Sequence, residues 1–133
     1  MDTPTALWYA TLIKPSWAPP VYLFGPVWTV LYIIIIITFG YVCLKWYRGE
    51  ISWIIALPFL LNIVANILFT PLQFGLQSNE LASLDILVIL GTLGWALFVI
   101  FPIVPWVAYA NIPYFLWVSF ATVLQLTITY LNW

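Results

Sequence analysis

WYATLIKPSWAPPVYLFGPVWTVLY, residues 8–32, decides how this chain is read. Aromatic rings and four prolines crowd around a single lysine, Lys14, and lead into a long apolar run. Trp and Tyr favour the water–lipid boundary, where the ring body is buried while its N–H or O–H stays wet. The stretch therefore reads as a shaped lid at a membrane surface, feeding a transmembrane helix.

The charge pattern outward from the lid supports this. The chain is 65% hydrophobic and 5% charged, with a mean hydropathy of +1.11, whereas roughly a quarter of the residues of a soluble domain are charged. No charge falls between Lys14 and Lys45, none between Glu50 and Glu80, and none after Asp85. A helical span needs ~20 predominantly apolar residues, so the first two gaps hold one span each and the last holds two. A β-barrel would instead show ~10-residue segments of alternating polarity. Leu31 to Thr38, with five consecutive isoleucines, has no such alternation. The fold class is an all-α, polytopic membrane bundle of four transmembrane helices.

Composition also removes several functions. With no histidine and one cysteine, Cys43, the sequence has no metal-ligand cluster, Cys–His nucleophile pair or internal disulfide. Three basic residues and a net charge of −1 leave no electrostatic footprint for nucleic acid. The first residues lack the basic n-region and short apolar core of a cleaved signal peptide, so the first span is expected to act as its own insertion signal.

The expected elements are an aromatic and proline-rich lid over 1–20 and helices over about 20–46, 52–74, 80–101 and 106–131. Pro19-Pro20 suits a helix start, Gly49 a helix stop beside Arg48 and Glu50. Pro58, Pro71 and Pro113 are expected as kinks inside membrane helices, where neighbours re-satisfy the freed carbonyls. The very short loops make consecutive helices antiparallel neighbours.

Polar residues inside spans mark where function shows, because such groups face the bundle interior or a cavity. Asn62, Asn66, Thr70 and Gln73 recur at spacings of four, four and three, on one face of the second helix. The stripe reads either as interhelical hydrogen bonding or as a cavity wall. Phe24, Trp28 and Tyr32 form an aromatic ladder on the first helix, and Tyr114, Trp117, Ala121 and Leu124 or Gln125 share a face of the fourth. Two aromatic faces, an amide face and a small residue suit a pocket for a large planar apolar molecule, since stacking needs no ligand charge. Asp85 either complements a helix dipole near the headgroups or hydrogen-bonds within the bundle. Lys14 reads as a headgroup anchor rather than a catalytic amine.

At these residues the chain resembles the tryptophan-rich sensory protein or translocator protein family, also called TspO/MBR or peripheral benzodiazepine receptors. The matching pieces are Trp8-Tyr9, the Leu12–Pro20 run with Lys14-Pro15, Trp17 and Pro19-Pro20, then Gly25-Pro26-Val27-Trp28-Thr29 and Leu31-Tyr32. They continue through Asn62, Asn66, Phe69, Ala82 and Asp85, then Pro113-Tyr114, Leu116-Trp117, Phe120-Ala121-Thr122 and Leu131-Asn132. The resemblance covers nearly the whole chain in the family's order.

It implies one translocator-type domain, and a family fold of five transmembrane helices with a pocket for porphyrins, isoquinoline-type drugs and, in animal members, cholesterol. Carried over by position, the pocket comprises Trp8 and Tyr9 in the lid, Pro19 beside it, Trp28 and Tyr32, then Asn62, Asn66 and Thr70, and finally Trp117, Ala121 and Leu124. Four departures stand out. Gln125 replaces a common Asn, and Ile67 a common polar residue. Tyr130 lacks the nearby Lys or Arg of a sterol-type signature, itself a weak motif. Family members also carry an apolar helix before the lid, where this sequence begins.

The expected function is binding of a tetrapyrrole or similar planar apolar ligand, as sensor, scavenger or carrier. The alternative is an accessory subunit of a larger membrane complex, with a partner's helix or pigment at the pocket face. The expected partners are the bilayer, a tetrapyrrole or sterol-like small molecule, and a second copy or a helix of another subunit. No cofactor is required by the sequence; a bound porphyrin, haem-like tetrapyrrole or other planar apolar molecule is what the pocket implies. A porphyrin-degrading activity proposed for the family finds no acid–base pair here and would rest on the ligand's photochemistry and nearby Trp residues. Two basic residues flank the Arg48 turn against one in the lid, which places that turn in the cytoplasm.

Overall fold

In a computed structural model that describes residues 11–19, 23–72 and 76–132, five helices follow one another. They are α1 (Phe24–Tyr47), α2 (Trp53–Thr70), α3 (Asn79–Ile100), α4 (Pro105–Ala110) and α5 (Ile112–Leu131). Trp8, Tyr9, Gln73, the expected helix start at Pro20 and the side chains of Phe24 and Thr70 lie outside the described residues. The described residues contain no strand. Three helices are long and apolar enough to cross a membrane, α1, α3 and α5, and α2 adds a shorter apolar helix. In hydrocarbon only a helix or a closed barrel satisfies every backbone group, so the chain is a helical, multi-pass membrane bundle.

The helix ends follow local chemistry. Past Tyr47 the chain closes on Gly49 at φ +73, with Gly49 N–H on the Trp46 carbonyl and Glu50 N–H on the Lys45 carbonyl, both at 2.9 Å. Glycine takes that left-handed backbone without a Cβ penalty. Lys45, in the last turn of α1, pairs with Glu50 at 3.1 Å. Ser78 caps α3 by accepting from Leu81 N–H at 3.2 Å.

Proline acts differently from expectation at two places. At Pro71 the α-helical ladder of α2 gives way to a wider π turn in which Pro71 and Leu72 stay helical and Leu76 N–H bonds the Pro71 carbonyl five residues back at 2.9 Å. The helix expected over 106–131 is two helices, broken at Asn111. Pro113 has no N–H, and its ring would meet the carbonyl four residues back, so it sits in the first turn of a new helix instead. Asn111 occupies the break, and its Nδ2 donates to the Val107 carbonyl at 2.8 Å. Pro58 remains inside α2.

α3 is the centre of the bundle, packed on one side by α2 and on the other by α5, while α1 leans on α2 and α4. Phe39 of α1 meets Phe59 of α2 edge-on, ring centroids 4.8 Å apart, and lies 6.4 Å from Tyr114 of α5. Tyr41 meets Trp106 edge-on at 5.0 Å, joining α1 to α4 near the Arg48 turn. Lipid tails are as apolar as these rings, so what such contacts contribute is close packing rather than transfer from water.

Candidate ligand-binding site

The amide stripe of α2 is a buried hydrogen-bond hub. Asn62 is fully buried. Its Nδ2 donates across to α3, to the Ile89 carbonyl at 2.9 Å and Thr92 Oγ1 at 3.1 Å. Its Oδ1 accepts from the Tyr114 hydroxyl of α5 at 2.9 Å and from Asn66 Nδ2 at 3.1 Å. Asn66 Nδ2 also donates to that hydroxyl. Every polar atom of the Asn62 side chain is engaged, so Asn62 holds three helices together and lines no open space.

A second polar cluster joins α3 and α5 nearer the lid. Ser83 and Thr129 share a hydrogen bond at 2.6 Å, and Thr129 donates to the Asn79 carbonyl at 3.1 Å. Gln125 Nε2 donates to Thr129 at 3.3 Å. Gln125 thus performs a packing role between helices. Asp85, 8% exposed and in the second turn of α3, has Oδ2 without a hydrogen-bond partner among the described residues. Its side chain is packed inside the bundle. Farther from the lid, Asn111 Nδ2 donates to Thr38 Oγ1 at 3.0 Å, tying the α4–α5 break to α1.

Two grooves flank α1. The first, about 720 Å³, lies between α1 and α5 and is lined by Pro19, Pro26, Val27, Val30, Leu31, Pro113, Leu116, Trp117 and Phe120. The second, about 410 Å³, lies between α1 and α2, with Tyr32, Phe39, Gly40, Cys43, Ile63 and Asn66 in its walls. Of the expected pocket residues, Pro19 and Trp117 come together in the first groove, and Tyr32 and Asn66 in the second. Trp28 stacks on Tyr32 at 5.4 Å and packs against the core without lining either groove. Leu124 is buried and Ala121 half-buried on α5, also outside the groove linings.

The described part of the lid, residues 11–19, is a strap along α5. Asn132, just past α5, accepts from Ile13 N–H with Oδ1 at 3.0 Å and donates from Nδ2 to the Ile13 carbonyl at 2.8 Å. Trp17 meets Phe120 edge-on at 5.8 Å, and Phe120 packs on Trp117 at 5.6 Å. Asn132 and Phe120 are ~18 Å apart along a helix at 1.5 Å per residue. The strap therefore descends the flank of α5 to the first groove rather than crossing the end of the bundle.

Sequence reasoning missed Tyr114 as the hub, Thr92 as its α3 partner, the Thr38–Asn111 tie, and Phe120 and Asn132 under the strap. Tyr114 carried a signal, since a buried phenol needs a partner and Asn62 and Asn66 were the amides available. Asn132, beyond the last apolar turn, carried none.

These features define a multi-pass helical membrane protein with an aromatic groove under a proline-rich strap. A model of the TspO/MBR family matches residues 1–131, and the chain belongs to that family. It is 34% identical over 87 residues to the tryptophan-rich protein TspO of Chlorobaculum tepidum, covering 65% of this chain and 54% of that protein. It is 39% identical over 71 residues to protein CrtK of Rhodobacter capsulatus, covering 53% and 44%. It is 35% identical over 89 residues to the human translocator protein, covering 63% and 50%. The chain spans about half the length of these relatives.

Proposed function

We propose that this protein binds a tetrapyrrole or similar planar apolar molecule in the groove between α1 and α5, as sensor, scavenger or carrier. The observation that carries this reading is the groove itself, about 720 Å³, walled by Trp117, Phe120 and three prolines. Ligand sites typically enclose roughly 300–1,000 Å³ with mostly apolar and aromatic walls. Stacking on Trp and Phe holds a planar molecule without a countercharge, and no charged residue lines this groove. A carrier role also suits the name translocator protein borne by the human relative.

The test is a titration of detergent-solubilised protein with protoporphyrin, followed by tryptophan fluorescence. Saturable quenching is expected. Trp117→Ala should weaken binding at least several-fold, since an aromatic pair contributes ~1 kcal/mol beyond its buried area. Trp53→Ala, on the exposed start of α2, should leave it unchanged. Equal effects of the two substitutions would remove the groove from consideration.

A second reading is favoured by the groove between α1 and α2. Asn66 faces an opening there whose rims, Ile36 and Ile67, are 71% and 67% exposed. Membrane proteins place amides against one another or against a partner rather than lipid. A helix of a second copy, or of another subunit, would cover it. Gentle solubilisation and mass measurement decide this, and a lone 15.3 kDa chain that binds protoporphyrin would sink it.

A further inference from the structure

The groove between α1 and α5 offers a ligand almost nothing polar. Its described lining is three prolines, four aliphatic side chains and the rings of Trp117 and Phe120. Among these residues the Trp117 indole N–H is the single polar side-chain group, and it is a neutral donor. The open side is no more hospitable to charge. Val30 and Leu116, which line the groove from opposite helices, are 57% and 62% exposed. Both belong to helices long and apolar enough to cross the membrane, so the mouth faces acyl chains rather than water.

The placement of charge along the chain sharpens this. The sequence holds three basic residues, Lys14, Lys45 and Arg48, and no histidine. Lys45 lies ~21 Å along α1 from Leu31 at 1.5 Å per residue, and it is paired with Glu50. Lys14 follows Ile13, whose backbone is bonded to Asn132, ~18 Å along α5 from Phe120. Phe120 itself is ~16 Å and Pro113 ~27 Å along the helix from Leu131. The groove is therefore deep in the span, with every basic side chain of the sequence set back from it. A carboxylate drawn into such a place loses its water without gaining a partner, which is costly. Esterifying the acid removes that charge and keeps the surface that stacks on Trp117 and Phe120.

We propose that the groove between α1 and α5 selects uncharged planar ligands, favouring a tetrapyrrole or other flat polycycle whose acid groups are esterified or absent over the same ring with free carboxylates. The selectivity rests on the groove reading above and narrows it to one chemical class of ligand.

The experiment compares protoporphyrin with its dimethyl ester, the same ring with and without free acids. The full chain is used in phosphatidylcholine nanodiscs at mildly alkaline pH. Tryptophan quenching reports binding, and empty nanodiscs correct for the partition of each compound into lipid. The ester is expected to bind at least about tenfold more tightly than the diacid. Val30→Arg sets a guanidinium at the mouth and should cut that ratio at least about fivefold, because Arg pairs well with carboxylates. Val30→Met, of similar length without charge, should keep the ratio. A diacid that binds as tightly as the ester overturns the proposal; if Val27→Trp abolishes that binding, the groove reading stands and the selectivity alone falls. A ratio unmoved by Val30→Arg also overturns it, since the carboxylates then lie elsewhere. If neither compound quenches saturably, the groove reading fails and takes the selectivity with it.

Discussion

The Tyr114 hydroxyl of α5 donates to Asn62 Oδ1 of α2 at 2.9 Å, joining two helices that otherwise meet mainly through α3. Both side chains are fully buried, and Asn66 closes the triangle by donating to each. The ring fixes the rotation of α5 against α2, and the bonds of Asn62 to Ile89 and Thr92 tie α3 to the same point on α2.

Removing only the hydroxyl isolates that contribution. Tyr114→Phe keeps the ring against Phe39 and should cost about 1 kcal/mol, since interhelical hydrogen bonds in membranes average ~0.6 and reach ~1.7. Unfolding in mixed detergent micelles measures it. A midpoint indistinguishable from the parent would show that the phenyl ring alone does the holding.

Asn62 and Asn66 should separate in the same assay, although they lie one turn apart. Asn62→Leu takes away the acceptor of the Tyr114 hydroxyl, leaving only Asn66 as its partner, and loses the hydrogen bonds to α3, for a cost of roughly 1–3 kcal/mol. Asn66→Leu acts at a groove wall, where the new side chain has space, and should cost less than half as much. The reverse order would place the structural hub at Asn66.

The two grooves can be plugged independently. Gly40 has open space beyond its Cα, so Gly40→Leu fills the α1–α2 groove without a backbone clash. Val27→Trp fills the α1–α5 groove. Protoporphyrin affinity should survive the first and drop at least tenfold in the second, about 1.4 kcal/mol of lost binding. The opposite pattern moves the ligand to the other side of α1.

Orientation is open to direct labelling. With Cys43 changed to Ala, Tyr47→Cys, at the exposed end of α1, should react with a membrane-impermeant maleimide only from the cytoplasmic face, as the excess of basic residues at that turn implies. Labelling of intact cells from outside would invert the topology.

Much of this was legible in the sequence, for reasons that differ between elements. The charge-free gaps bounded by Lys14, Lys45, Glu50, Glu80 and Asp85 mark the spans because lipid excludes charge at any depth between them. Spacing placed Asn62 and Asn66 on one face correctly, yet could not say what that face meets. Helical periodicity gives direction, but the partner depends on how α3 wedges between α2 and α5. The same limit applies to Trp28 and Trp117, which sequence assigns to a common pocket and α1 sends to different surroundings. Pro113 was readable as a disturbance but not as a break, because the outcome turned on Asn111 being able to take up the Val107 carbonyl.

The break at Asn111 alters how α1 is hung. Thr38 is bonded to Asn111 and Tyr41 abuts Trp106, so the half of α1 near the Arg48 turn is bolted to α4, a six-residue piece jointed to α5. The other half, Pro26 to Leu31, stands off α5 across open space. α1 is thus mounted like a door leaf with its fixings at one end. The open side of that gap runs toward the strap, so on the proposed reading a ligand dissolved in the membrane would reach it sideways, from the lipid, with no passage through water.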